Sequence, residues 1–320
     1  MTQTARPRID LLQLHYFVAV VDAGSITKAS RLCHIAQPAL SKRVASLEEE
    51  LGVQLLHRGA FGVEATEEGM VLYRTSKRIL RDIAGISDEL MSTGSNPKGE
   101  VRLACQDSLT RMVSRGLAKE VLTAFPQVSL IATAGQSREI YQSLGQGIVD
   151  LAVLVHDEEL QNLSIDLLVE EEIFVVGSPG LLGSSGGEIT RAELAKKPFV
   201  FPSSTTFATG QMVVNILGQD NAPVEIVAMV DGDALKALIV DGLGCCVLPW
   251  SFMQPEIDSG QIVYKRIADK TMTRTIALCS SSERPRSSAT RAVADLCRRL
   301  IEQSIESGAW KHARVIRTAP

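Results

Sequence analysis

Aromatic side chains are scarce, at 4% of the chain with two tryptophans. A platform for stacking single strands or bare bases is therefore not the expected working surface. No apolar run approaches the roughly 20 residues that a membrane span needs. The stretch from Leu11 to Val21 is interrupted by Gln13 and His15 and has no small-residue cleavage site after it. Neither a signal peptide nor a membrane partner is expected, and the expected location is the cytoplasm. The six cysteines (Cys33, Cys105, Cys245, Cys246, Cys279, Cys297) lack the spacing of a disulfide framework or a zinc site. They read as free thiols in a reducing compartment. The competing reading at Cys245-Cys246 or Cys105 is a redox switch; buried structural cysteine is the expected state. The five histidines (His15, His34, His57, His156, His312) form no HxxxH, HExxH or triad pattern, and neither GxSxG nor a P-loop occurs. No catalysis, metal or cofactor is expected.

A strong charge of one sign is also missing, since the formal net charge is −4. Residues 1–93 carry 11 basic and 11 acidic side chains, so the remainder holds the whole excess. A nucleic-acid surface must therefore come from local basic residues, with Lys42, Arg43 and Arg58 the ones to watch. What is present is an ordinary globular composition, 45% hydrophobic and 22% charged over 320 residues. That fills real cores and suggests about two domains.

Residues 10–65 read as short helices followed by a hairpin. Asp10 can cap a helix whose Leu14, Phe17, Val18 and Val21 fall at i, i+3, i+4 and i+7. Gly24 is placed to end it and Ser25 to cap the next. That second helix spans about Ile26 to Cys33 and buries Ala29 and Leu32. After a break at His34-Ile35-Ala36, Pro38 sits in a first helical turn. Leu40, Val44, Leu47 and Leu51 then form one apolar stripe, and Gly52 stops the helix. Two short helices joined by a tight turn, the second with a polar outer face, make a helix-turn-helix. Val53–Arg58, the turn at Gly59–Gly62 and Val63–Ala65 read as a two-stranded wing.

Thr66, with Glu67 and Glu68 in the first turn, opens a long helix to about Thr93. Leu72, Ile79, Ile83, Ile86 and Leu90 step along it as a heptad seam, with Ser76 filling the vacant position. Such a helix is roughly 40 Å long, and its seam calls for a partner, so a homodimer is expected. The loop Gly94–Gly99 is the best domain boundary. Beyond it the pattern alternates as βαβαβ, which implies a parallel sheet with covering helices. A second α/β unit follows, with a helix near Gly210–Leu217. Thr275–Leu278 and Ala289–Ile305 then return to the first unit. The resulting division is 1–66 for the winged helix-turn-helix and 67–94 for the linker helix. The regulatory domain takes 95–320, with subdomain I at about 100–169 and 275–306 and subdomain II at about 170–274.

The run Ala29-Ser30-Arg31-Leu32-Cys33-His34-Ile35-Ala36-Gln37-Pro38-Ala39-Leu40-Ser41-Lys42-Arg43-Val44-Ala45-Ser46-Leu47-Glu48 resembles the signature of LysR-type transcriptional regulators. Leu55-Leu56-His57-Arg58 and Ala65-Thr66-Glu67-Glu68-Gly69 are similar to that family's wing and linker-helix start. Phe17–Ser25 and the late Gly242-Leu243-Gly244 and Leu248-Pro249 extend the resemblance from about Leu11 to Ile305. His34–Ser41 reads closest to the nitrogen assimilation control branch. Two features depart from the family pattern. Gly59-Ala60-Phe61-Gly62 replaces a more basic wing tip, and the segment after Ala309 (Trp310, Lys311, His312, Arg314, Arg317) extends past the usual end.

The resemblance implies an α/β protein with a helical winged N-terminus and two Rossmann-like subdomains of periplasmic-binding-protein type. It further implies a homodimer or homotetramer on double-stranded promoter DNA, a small-molecule effector, and contact with RNA polymerase. Ser25, Thr27, Gln37, Pro38, Ser41, Lys42, Arg43, Arg58 and Thr66 are the expected DNA contacts. Gln can pair with adenine edges, Ser and Lys with phosphate or guanine, and Pro38 can touch a thymine methyl. The competing reading is a solvated helix face, with Arg58 in a surface ion pair; Thr66 is expected mainly to cap a helix, sharing any phosphate contact with the helix N-terminus. For the effector, Gln106, Asp107, Ser108, Thr110, Gln136, Ser137, Ser203, Ser204, Thr205 and Asp231 follow strand ends. Hydroxyls and helix N-termini suit a small carboxylate or similar anion, although Asp107 and Asp231 oppose one; each residue could equally be only a cap. Regulation without a ligand, and a solute-binding protein, are the alternatives.

Overall fold

The computed structural model describes residues 9–59, 62–91, 96–156, 163–203, 225–268, 271–283 and 286–317, the side chains of 87–91 excepted. The chain divides into two compact units, Met1–Thr93 and Gly94–Pro320.

In the first unit, α1 (Leu11–Ala23) begins at Asp10, whose carboxylate accepts from Gln13 N while the Gln13 side chain accepts from Asp10 N. This reciprocal pair satisfies two of the helix's free amides. Gly24, at φ 60°, ends α1 in the left-handed region that glycine adopts without strain. Ser25 caps α2 (Ile26–Leu32), and α3 runs Gln37–Leu51 to Gly52 at φ 69°. Phe17, Val20, Ala29, Leu40, Val44, Leu47, Leu55 and Leu56 form one core. Leu32, expected inside, is 70% exposed. Helix α2 has only seven residues, and Ala29 with Ser30 already fills its buried face. The wing is β1 (Leu56–Gly59) against β2 (Gly62–Ala65), antiparallel, with Leu56 opposite Ala65. Its first strand begins at Leu56 rather than Val53, and Glu48 accepts from the amides of Leu55 and Leu56 where it starts.

Helix α4 (Glu67–Met91) follows. Its expected seam divides. Leu72 packs on the core of its own unit and Ser76 is fully buried, whereas Ile83 and Ile86 are 38% and 54% exposed. Among the described side chains, the seam is exposed in its later part, at Ile83 and Ile86. Leu90 lies in the helix, but its side chain is outside the described residues.

Among the described residues, the second unit is built on a nine-stranded sheet. Strands β3 (Gly99–Gln106), β4 (Val128–Gly135) and β5 (Leu151–Val155) are parallel, with β3 in the middle. They alternate with α5 (Thr110–Ala124) and α6 (Ser137–Gly145). The all-parallel expectation stops there. Two long strands, β6 (Leu163–Gly177) and β12 (Met272–Ser281), join the sheet antiparallel and pass from one lobe into the other. Beyond β6 the second lobe adds β7 (Glu188–Ile189), β8 (Phe199–Phe201), β9 (Ile226–Met229), β10 (Cys246–Pro249) and β11 (Val263–Ile267). β8 and β9 pair parallel, and Phe199 bridges to Cys245. The expected helix near Gly210–Leu217 lies outside the described residues.

Separate cores mark the lobes. Leu103, Leu117, Val169 and Ile276 pack with the late helix Ser288–Glu306 in the first. Phe174, Phe199, Cys246 and Trp250 belong to the second. The chain ends in β13 (Ala313–Val315), paired antiparallel with β6.

Candidate DNA-binding surface and effector cleft

The turn between α2 and α3 is closed by backbone bonds from Cys33 N to Ala29 O and from Ile35 N to Ser30 O. To make it, His34 adopts φ 52°, a conformation costly for a residue with a Cβ. The turn brings the start of α3 to the surface, where Gln37, Pro38, Lys42 and Arg43 are exposed and Ser41 is half-buried. Thr27 on α2 is exposed as well, while the Ser25 hydroxyl accepts from Lys28 N at 3.4 Å as a helix cap.

The wing is fastened to this helix by Glu48. Its Oε1 accepts from Leu55 N at 2.9 Å and Leu56 N at 3.1 Å, and its Oε2 lies 3.5 Å from Arg58 Nη2. Arg58 Nη1 also reaches Ser41 Oγ at 3.4 Å. Arg58 therefore stands beside the exposed face of α3, held by an ion pair weak enough for a phosphate to replace. Arg43 is 3.8 Å from Asp10, a looser pair still. Thr66 turns inward. Its hydroxyl donates to Gln54 O at 2.8 Å and accepts from Gly69 N at 2.9 Å, a buried helix cap, which is the main role expected of it.

The cleft residues sort differently. Gln106 Oε1 accepts from Val155 N at 2.8 Å, tying β3 to β5, and Thr110 Oγ1 donates to Gln106 O at 3.4 Å. Both hold the strand end. Gln136 precedes α6 and Ser137 opens it, each half-buried. Ser203 donates to Asp231 from its backbone N at 3.0 Å and from its hydroxyl, joining the ends of β8 and β9. Ser204 and Thr205 lie outside the described residues. Asp107 has its carboxyl pushed above the usual range by partial burial first, then by the negative charges of Asp231 and Glu139. Asp231 and Glu139 thus both bear on Asp107.

Ser108 has a partner that no sequence pattern announced. Its Oγ accepts from Arg274 Nη1 at 2.9 Å, and Arg274 in turn pairs with the fully buried Glu171 at 2.7 Å. A hydroxyl that accepts from a guanidinium keeps its own proton for an acceptor elsewhere. Arg274 is the one charge in Met272–Leu278, but Glu171 is the middle of three consecutive glutamates in Leu167–Val176, so the sequence did not single out the pair. Burial pushes Cys105 up to about 11 and Cys245, Cys279 and Cys297 up to about 12. Cys246 is raised further in the same direction. These five are thiols at neutral pH and poor nucleophiles.

A winged helix-turn-helix joined to a two-lobed α/β domain defines a DNA-binding regulator with its own sensing module. Residues 11–70 match the model for the bacterial regulatory helix-turn-helix protein, lysR family, and residues 94–302 match the LysR substrate binding domain. The chain belongs to the LysR family of transcriptional regulators. It is 27% identical over 297 residues to the nitrogen assimilation regulatory protein nac of Klebsiella aerogenes, covering 92% of this chain and 96% of that protein. The nac protein of Escherichia coli (strain K12) is 27% identical over 310 residues, with 93% and 98% covered. A full-length OxyR variant from Pseudomonas aeruginosa shares the fold at TM-score 0.66 and 20% identity, covering 98% of this chain and 100% of that one. Full-length CbnR complexed with its target DNA does so at TM-score 0.65 and 21% identity, with 91% and 100% covered.

Proposed function

We propose that the chain binds promoter DNA as a homodimer or pair of dimers in the cytoplasm and regulates transcription by contact with RNA polymerase. The carrying observation is the Arg58 guanidinium beside the exposed face of α3, bridged to both Ser41 and Glu48. In this reading Gln37, Pro38, Ser41 and Lys42 enter the major groove, and Arg58 exchanges Glu48 for a phosphate. Arg43 and Thr27 flank the same face, and Ser25 and Thr66 support it as caps. The free part of the α4 seam, Ile83 and Ile86 with Ile79, forms the dimer contact.

The regulatory domain takes a small molecule between its lobes, in contact with Ser108, Ser137 and the Ser203–Asp231 pair. A plain anion fits that edge poorly, because Asp107 already sits in the negative field of Asp231 and Glu139. An effector bringing positive charge to those carboxylates and an acceptor to Ser108 meets both demands. The test is a gel shift on the DNA upstream of the chain's own reading frame, repeated across amines, amino acids and carboxylates. Specific binding that Ser41→Ala weakens by about 1–3 kcal/mol supports the DNA reading. Binding that changes with no compound of any class returns the protein to ligand-free regulation.

A further inference from the structure

The segment after Ala309 lies beyond the matched domain, which ends at residue 302. It is nevertheless deeply built in. Trp310 is 1% exposed and joins the first-lobe core with Leu168 and Val169. Two residues on, the His312 ring meets second-lobe aromatics instead, with Phe174 at 4.8 Å, Tyr264 at 5.5 Å and Trp250 at 6.1 Å between centroids. Lys311 stands over Trp250 at 5.1 Å. The backbone between is zipped to β6. Glu172 N donates to His312 O and Ile316 N to Leu168 O, each at 2.9 Å, with Val315 opposite Val169. The segment thus crosses from one lobe to the other on the strand that connects them.

The place it crosses is unusual in charge. Glu170, Glu171 and Glu172 follow one another on β6, and each takes a different arginine: Arg314, Arg274 and Arg266. The outer pairs are exposed on the arginine side, and the central one is sealed. Glu171 accepts from Trp310 Nε1 at 2.8 Å, from Ser251 Oγ, and from Arg274 Nε at 2.8 Å. Arg274 reaches Ser108 from the other side. Trp310, Glu171, Arg274 and Ser108 form an unbroken polar chain from the terminal segment to the cleft. In β12, which carries Arg274, the register with β6 shifts between Ile276 and Ala277, close to the crossing.

We infer that residues 310–316 are a strap that fixes the two lobes at their crossing strands and positions the Ser108 hydroxyl through Glu171 and Arg274. The positioning half rests on the proposed effector site at Ser108; the strap itself does not. A carboxylate buried among one cation and two neutral donors has little freedom to rearrange, because losing any donor leaves a charge unsatisfied in a dry interior. Arg274 is consequently held in one geometry, and Ser108 with it. Trp310, Glu171 and Arg274 are positioning residues. They act on the cleft without standing in it.

The experiment uses full-length protein and amide hydrogen exchange, with Trp310→Phe, a chain ending at Ala309, and Ser108→Ala. Phenylalanine keeps most of the buried ring and removes the N–H to Glu171. Exchange should rise about tenfold around 168–172 in Trp310→Phe, and at 107–110 as well, with β3 at 101–104 unchanged. The shortened chain should show the same two regions opening further. Ser108→Ala should leave 168–172 as in the parent. Faster exchange confined to 168–172 would show that the strap holds β6 without reaching the cleft, and would overturn the positioning role. Parent-like exchange in both tail variants would overturn the strap. The compound panel separates the two readings. If Trp310→Phe alters 107–110 while Ser108→Ala keeps a full compound response, the strap stands and the effector assignment at Ser108 fails.

Discussion

The Glu48 carboxylate holds the Arg58 guanidinium at 3.5 Å while its other oxygen accepts from two wing amides. One side chain thus does two separable things. It anchors the wing to α3 and it parks a cation beside the face proposed for DNA.

Arg58→Ala should therefore change DNA binding and little else. The ion pair is half-exposed on the arginine side, so its loss should cost less than about 1 kcal/mol of stability. Affinity for operator DNA should fall, and the salt slope should shrink by about one phosphate's worth. Glu48→Ala should behave in the opposite order, losing about 1–3 kcal/mol of stability from two stranded amides. Urea denaturation beside salt-titrated binding tells them apart; equal stability losses would contradict this division of roles.

His34 offers a second test, in the turn itself. At φ 52° it pays for a Cβ that the conformation disfavours. His34→Gly should be neutral or stabilising by up to about 1 kcal/mol, and His34→Val destabilising by at least as much. Chemical denaturation of both variants measures it. A glycine variant less stable than the parent by more than that would mean the imidazole makes a contact worth more than the strain.

The divided seam of α4 predicts two different failures from one kind of substitution. Ile86→Asp places a charge on an exposed side chain, so the unit should stay folded while the proposed dimer weakens. Leu72→Asp puts the charge against the domain core and should cost several kcal/mol of folding stability. Sedimentation and thermal melts together read out both. An intact dimer in Ile86→Asp would move the interface elsewhere.

His312 sets a pH dependence. Burial holds its pKa below the usual 6.5; Glu172 pulls it upward as the next largest influence, and Arg266 and Lys311 add smaller pushes downward. The folded state therefore binds a proton less readily than the unfolded chain. Stability is full above pH 6.5 and declines as pH falls from there toward the lowered folded value. His312→Phe keeps a ring among Phe174, Trp250 and Tyr264 and removes this titration. Melting curves from pH 7.5 to 5 should drop less for the variant than for the parent. Parallel curves would place the acid sensitivity at another group.

Much of the first unit was legible from spacing and cap chemistry. Asp10, Gly24, Ser25 and Gly52 act where local rules put them, because a helix end is settled by the few residues around it. The apolar stripe Leu40, Val44 and Leu47 was likewise readable, as was the parallel arrangement of β3, β4 and β5. Gly69 shows the limit. It reads as one more residue of a helix start, yet a Cβ there would lie 2.0 Å from Leu55 O. That close approach exists only once the wing is folded against α4. The division of the α4 seam belongs to the same class, since a heptad cannot say which of its residues its own domain will claim.

In the second unit, alternation of strand and helix located the lobes and the strand ends, and with them Ser108, Ser203 and Asp231. Those are properties of sequence order, fixed by which segments can bury an apolar face. The partners of these residues are not. Gln106 was spent on Val155, Ser203 on Asp231, and Ser108 on an arginine 166 residues away. The terminal segment had no reading at all, because three residues of strand and a lone tryptophan carry no period. The sequence alone determined the helices of the first unit, their caps, the parallel strands β3, β4 and β5, and the family. Tertiary structure decided which polar atoms meet, because a buried Glu171 draws its donors from β12, Ser251 and Trp310, and only the folded chain brings these together.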